Sequence, residues 1–278
     1  TPMAFALRSR RDLGSGLFAA SAGPSRGSLA SVVGLAWRLQ RGMLAAWLAG
    51  TVAMGLVLGA VVHNVLGLLS SPQMRRFIVV LGGERGLIDG FLAAEVGILG
   101  SIIASYGVAA CARLREEETL GHVEILLATA TTRTRLAASH YGVALFGTAT
   151  LLISAGAAIG LGHGLATHDL GQVPRIALAA AAQIPAAWVV ASIVLALFGW
   201  APRAVGAAWG ILVAFIAFGE FGVLWGVPKW LLDMSPFAHS PHLPGGALQP
   251  GSLAALLAVA AAFAAFGLAG WRRRDLTA

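Results

Sequence analysis

The sequence predicts an all-α membrane protein of six transmembrane helices with both termini in the cytoplasm. Two observations carry that prediction. Hydrophobic residues make up 58% of the 278-residue chain, charged residues only 11%, and mean hydropathy is +0.80. A soluble domain of this length needs more charge to cover its surface. The apolar residues also run in long blocks rather than amphipathic stripes. A bilayer satisfies such blocks, because a helix closes its own backbone hydrogen bonds there.

Six blocks reach the roughly 20 residues that cross about 30 Å of hydrocarbon. They lie at about 43–66, 90–112, 136–161, 176–200, 204–227 and 253–271. Met43–Val62 carries no charge, Glu95 interrupts the second block, Pro185 predicts a kink in the fourth, and Glu220 lies in the fifth. Ahead of the first span, 34–42 mixes Leu35, Trp37 and Leu39 with Arg38, Gln40 and Arg41. That mixture predicts a short helix in the inner interface with its indole at headgroup depth; the alternative is an inward extension of the first span.

The basic residues orient the chain. With both termini inside, 14 of the 19 arginines and lysines face the cytoplasm and five face outward. The net charge of +7 is then a collar facing anionic headgroups, with no nucleic acid implied. Cys111 is the single cysteine, so no disulfide forms within the chain.

Residues 1–33 read as the end of a preceding span followed by a Gly/Ser/Ala/Pro linker. Arg10-Arg11-Asp12-Leu13 follows an apolar stretch, as Arg273-Arg274-Asp275-Leu276 does at the other end. Both read as a span stopped by headgroup-anchoring arginines. The expectation is a homologous six-span unit ahead of 34–278, the two forming one longer protein.

The most informative stretch is the loop 113–135. Glu116, Glu117, Glu118 and Glu124 fall within nine residues, while Leu120, Val123 and Leu127 recur at helical spacing. An amphipathic cytoplasmic helix of this kind can dock a groove on a soluble partner, with its acids setting register. Here the chain resembles the ABC type-2 exporter permeases, whose signature is acid-x-acid-x-Gly-x-x-Glu-x-Leu-Leu before a small residue, Pro and a basic residue. The matching positions are Glu117, Gly121, Glu124, Leu126, Leu127, Thr129 and Arg133; Thr119, His122 and Ala130 depart from the pattern. Ser235-Pro236-Phe237 after a Trp-containing outer segment also agrees with that layout. The resemblance is strongest to actinobacterial tetronasin-resistance-like antibiotic and multidrug efflux permeases, which are tandem duplications.

The resemblance implies an ABCG-like transmembrane fold in a bacterial inner membrane. It also implies that separate ABC ATP-binding subunits, carrying ATP and Mg, grip 113–135 through Glu116, Glu117, Glu118, Gly121, Glu124, Leu126, Leu127 and Arg133. This chain itself is expected to hold no cofactor and no metal: it lacks a G-x-x-x-x-G-K-[ST] loop, and Gly82-Gly83-Glu84-Arg85-Gly86 has no lysine. No nucleophile–base pair is legible, so a catalytic site is not expected.

Acids inside spans are costly unless they face protein or water, which makes Glu95 and Glu220 substrate-pathway candidates, with Tyr106 deeper on the second span. The alternative for the same acids is proton carriage in one half of a secondary transporter. Ser101 and Ser105 share a helix face, where they let neighbouring helices approach closely. His239 and His242 stand three apart in an outer loop without a third ligand at regular spacing.

Overall fold

A computed structural model describes residues 31–68, 83–221 and 225–274; side chains at 63–68, 83–85, 220 and 221 are outside that description. The expected preceding span, the Arg10–Leu13 stop, the linker as far as residue 30 and Asp275–Leu276 lie outside the described residues. Among the described residues there are only helices and turns. They are α1 (Val32–Leu68), α2 (Gly83–Thr119), α3 (His122–Leu127), α4 (Arg133–Thr167), α5 (Gln172–Ala181), α6 (Ile184–Trp200), α7 (Ala207–Phe221), α8 (Lys229–Leu232) and α9 (Pro250–Arg273). Short 3-10 turns at Pro202–Ala204 and Pro236–His239 flank α7 and α8.

Among the described residues, five helical runs are long and apolar enough to cross a membrane: α1, α2, α4, the α5–α6 pair and α9. The block expected as the fifth of six spans forms α7, whose 15 residues make about 22 Å of helix. At that length it is shorter than the other five.

The interfacial helix expected at 34–42 is not a separate element but the first turns of α1. Neither a proline nor a turn sequence separates it from the span, and Gln40 is not a solvated polar residue. It is 1% exposed, and its Nε2 donates to the carbonyls of Ala110 (3.5 Å) and His140 (3.4 Å). Those bonds fix the base of α1 against α2 and α4.

The fourth span breaks where its proline requires. Pro185 has no N–H for the Ala181 carbonyl and its ring crowds that carbonyl, so α5 ends at Ala181 and α6 restarts at Ile184. Gln183, 4% exposed, sits in the break.

Layering follows from small residues and a few polar ties. α1 lies on α4, α2 packs between α4 and α6, and α9 lies on α6; α6 is the most enclosed and α1 and α9 the most peripheral. Tyr141 and Ser192 share a hydrogen bond of 2.7 Å, and Trp188 Nε1 donates to the Leu145 carbonyl at 3.2 Å, joining α4 to α6. Gly55 and Gly59 on α1, with Gly162 on α4, let the two backbones touch: a Cβ on Gly59 would stand 2.1 Å from the Ile159 carbonyl oxygen. This is small-residue packing, which replaces the hydrophobic drive that lipid removes.

Candidate functional site

The stretch 113–135 is helical for most of its length. α2 runs on to Thr119, Gly121 turns the chain at φ +76°, α3 follows, and Thr132 caps α4 by accepting from the Arg135 N–H at 3.3 Å. Gly121 is required at that turn because other residues pay about 1–2 kcal/mol to be left-handed. A Cβ there would meet no atom within 4 Å, so backbone strain is the whole expected cost of Gly121→Ala. The expected result is a loss of about 1–2 kcal/mol of stability, read as a lower unfolding midpoint in detergent.

The turn also corrects the apolar face expected of Leu120, Val123 and Leu127. Gly121 resets the helical phase, so Val123 is buried at 1% exposure while Leu120 is 65% exposed. Ile125, at 70%, is bare as well.

The four acids divide into two pairs by environment. Glu117 is 9% exposed; its Oε2 meets His122 Nδ1 at 2.8 Å and its Oε1 lies 3.8 Å from Arg113 Nε. Glu118 meets Arg115 at 2.7 Å and forms a second ion pair with Arg274. Glu116 and Glu124 remain exposed, Glu116 only loosely associated with Arg113 at 3.8 Å. Two acids therefore brace the segment from behind and two stand exposed at its surface.

Arg274 is the residue that sequence reasoning missed as a site. Read along the chain it is the third of three stop arginines. In the fold it leaves α9 and turns inward, NH1 donating to the Phe198 carbonyl at 2.7 Å while the guanidinium lies 4.7 Å from the Trp271 ring centroid and 5.1 Å from that of Phe198. Burial first, and Arg115 second, pull its pKa below the usual arginine value. Arg133 closes the ring, donating to the Arg274 carbonyl while its own carbonyl accepts from Trp271 Nε1 at 2.9 Å. The signal that could have found it is periodicity. Gly267, Gly270, Trp271 and Arg274 share one face of α9, and the two glycines lie against α6.

At the other end of the bundle is a cavity of about 890 Å³ between α2, α7 and the segment from α8 to Gly246. Asp89, Ser101, Gln183, Lys229, Asp233 and His242 supply its polar lining. Arg175 pairs with Asp89 at 2.7 Å, and the other Asp89 oxygen is buried without a hydrogen-bond partner among the described residues. The broken α5–α6 span opens onto the cavity at Gln183, the setting in which irregular backbone is tolerated at membrane depth. His239 is turned away, its Nε2 against the Asp233 carbonyl at 2.8 Å.

The structure separates the pathway candidates. Glu95, 7% exposed, is on the face of α2 away from the cavity, which takes Ala93, Ala94 and Gly97; one carboxyl oxygen has no partner among the described residues. Tyr106 is fully buried, edge-on to Trp47 with ring centroids 6.1 Å apart and packed on Gly147. Glu220 is in α7, which borders the cavity, but its side chain lies outside the described residues. Ser101 reaches the cavity wall and also donates to the Gly97 carbonyl at 3.1 Å.

Comparison with known proteins gives two matches. The family described as the multidrug efflux system permease Rv1217c, C-terminal domain, matches residues 29–272. The multidrug efflux system permease protein Rv1217c of Mycobacterium tuberculosis (strain ATCC 25618 / H37Rv) is 41% identical over 280 residues, covering 99% of this chain and 51% of the relative. The chain thus spans about half the length of that curated relative.

Proposed function

The chain belongs to the multidrug efflux permease family, of the ABC type-2 kind, and from that premise we propose that it is the transmembrane part of an ATP-driven exporter. It is a multi-pass membrane permease in which no catalytic group is expected. ATP and Mg are held by separate ATP-binding subunits that dock on the cytoplasmic face of 113–135. The observation that carries this reading is the division of that segment into a braced back and a bare front. Leu120 and Ile125 are apolar side chains offered to water beside the exposed carboxylates of Glu116 and Glu124, a surface suited to a partner's apolar groove with a basic rim. Glu117, Glu118, Gly121, Leu126, Leu127 and Arg133 hold that surface in place.

In the full proposal α7 is the fifth of six spans, both termini are cytoplasmic, and a homologous six-span half completes the pathway in a bacterial inner membrane. Substrates are amphipathic molecules that leave through the outer cavity, with Glu95 and Glu220 on the two helices that border it and Tyr106 deeper on α2. The match to about half of a longer relative, through a C-terminal domain, supports the second half of a tandem permease.

The test is Ile125→Asp with Glu124→Arg in the full-length permease, reconstituted with its ATP-binding subunit. Loss of an interface anchor costs about 2 kcal/mol or more, roughly 30-fold in affinity. Co-purification of the ATPase and substrate-stimulated hydrolysis should fall at least that far, with unchanged thermal unfolding because Ile125 is 70% exposed. Unaltered co-purification would remove the docking claim. Transport that survives ATP depletion but collapses with the proton gradient would favour the secondary-transporter reading instead.

A further inference from the structure

The cavity between α2 and α7 is long, and its inner end carries no charge. On α2 the lining runs from Gly86 to Ser101, about 22 Å of helix. Inward of Asp89 the positions that face it are Gly90, Ala93, Ala94, Gly97 and Ser101, all small and none ionisable. Ser101 marks the floor, at the middle of the apolar block 90–112. Among the described side chains, charge in the lining is of both signs: Asp89 and Asp233 against Lys229, with Asp89 already held by Arg175. The lining as a whole favours neither sign of ligand charge, and the floor offers a counter-ion to neither.

What the floor does offer is one amide. Gln183, in the break between α5 and α6, is 4% exposed and lines the cavity. Its backbone is satisfied, the N–H donating to the Ala180 carbonyl at 3.0 Å and the carbonyl accepting from the Ala187 N–H at 3.2 Å. Its side chain lies over Gly100 of α2, where an added Cβ would stand 3.2 Å from Gln183 Cβ and Cγ and 3.6 Å from Cδ. Gly100 thus leaves room for the amide at the level of Ser101. That amide has no hydrogen-bond partner among the described residues, yet neither of its polar atoms is sealed from the cavity. Ser101 has committed its proton to the Gly97 carbonyl at 3.1 Å and keeps only acceptor capacity. A buried amide is costly to leave unpaired, so donor and acceptor together are free for a ligand.

We propose that Gln183 is the specificity-determining residue of this cavity, its amide hydrogen-bonding an uncharged carbonyl or hydroxyl group at the buried end of the ligand. The cavity then takes neutral amphiphiles in preference to permanent cations. A carbonyl accepts from Nε2 and a hydroxyl donates to Oε1, whereas an ammonium at the floor is a buried charge without a counter-ion. Phe215, Ile216 and Phe218 of α7 supply apolar wall for the rest of the molecule. The inference rests on the reading of this cavity as the substrate's way out.

The test is dye export from cells that express the full-length permease with its ATP-binding subunit. The probes are Nile red, uncharged and carrying a ring carbonyl, and ethidium, a permanent cation. The wild type should export Nile red. Gln183→Met, similar in length but apolar, should slow that export about fivefold or more, the value of one hydrogen bond to a neutral group, and leave the unfolding temperature of the purified protein unchanged. Gln183→Glu should slow Nile red and speed ethidium. Gly97→Phe tests the cavity separately: a Cβ there meets nothing within 4 Å, so the ring enters the cavity and should stop both dyes. Undiminished export by Gly97→Phe would remove the cavity as a route, and this proposal with it. Export stopped by Gly97→Phe but unaffected by Gln183→Met would keep the route and overturn the role of Gln183. Equal slowing of both dyes by Gln183→Met, with a lower unfolding temperature, would do the same by showing a structural role. So would a wild type that exports ethidium and not Nile red.

Discussion

Glu118→Ala should be the most damaging single change in the segment 113–135, lowering stability by about 3–5 kcal/mol. The magnitude is that of removing one partner from a buried ion pair, which leaves the other charge uncompensated. Here two charges are left, since Arg115 and Arg274 both rely on Glu118. Glu118 and Arg274 side chains are 14% and 17% exposed, so water cannot take over the lost role. Arg274→Ala should cost less in charge balance, because Glu118 keeps Arg115, but it also removes the bond to the Phe198 carbonyl and the packing between two rings. Arg274→Lys restores a charge near Glu118, yet an ammonium has no planar fork with which to fill the rest of the site, so it should rescue only part. The check is a double-mutant cycle with Glu118→Gln and Arg274→Gln, read by unfolding midpoint in detergent. A coupling near zero would show the pair to be incidental; a value of about 1–3 kcal/mol is expected for residues sharing one network.

Arg274 also ties the segment 113–135 to the bundle. Glu118 is near the end of α2, Phe198 near the end of α6 and Trp271 near the end of α9, so the Arg274 guanidinium links three helices, while the Arg274 backbone carbonyl accepts from the Arg133 guanidinium at the start of α4. In the glutamate-rich run the sequence announced a charged surface but not its partition. Glu116, Glu117 and Glu118 are consecutive, and successive residues on a helix lie 100° apart. Only the packed structure decides which carboxylate points toward Arg113 and His122, which toward Arg274 and which toward water.

How much could be read in advance depended on whether the determining partner was near in sequence. The long apolar blocks and the kink expected at Pro185 are local, and each showed in the chain, whereas Gly121 stood out only as a motif position and its left-handed turn is a finding of the structure. The family resemblance rested on seven residues of one loop, and the matches to the Rv1217c permease agree with it. Gln40 failed for the opposite reason. In the sequence it groups with Arg38 and Arg41 as the polar part of an interfacial helix, while its partners are carbonyls 70 and 100 residues away. Glu95 and Tyr106 share the second span, but which face of α2 meets the cavity is set by α7 and the outer segment, not by α2 itself.

Gly59→Ala should destabilise the bundle by about 1–3 kcal/mol, the usual cost of overpacking, although alanine is the better helix former. The reason is what the added methyl meets. At 2.1 Å the Ile159 carbonyl oxygen is backbone inside a hydrogen-bonded helix, and the His163 and Ile159 backbone atoms at 2.9 Å close the remaining directions. No rotamer change can relieve that contact; α1 and α4 must move apart, and the loss spreads to Gly55 and Gly162, whose own added methyls would meet backbone oxygens at 2.9 and 2.4 Å. Gly59→Val should be worse, leaving little folded protein. The control lies on the same helix. A methyl on Gly50 meets nothing within 4 Å, so Gly50→Ala should be neutral or stabilising by up to about 1 kcal/mol. The contrast between the two substitutions, measured as unfolding temperature in one detergent, separates close backbone packing from helix propensity. Equal effects at both positions would mean that α1 does not lie against α4 as described.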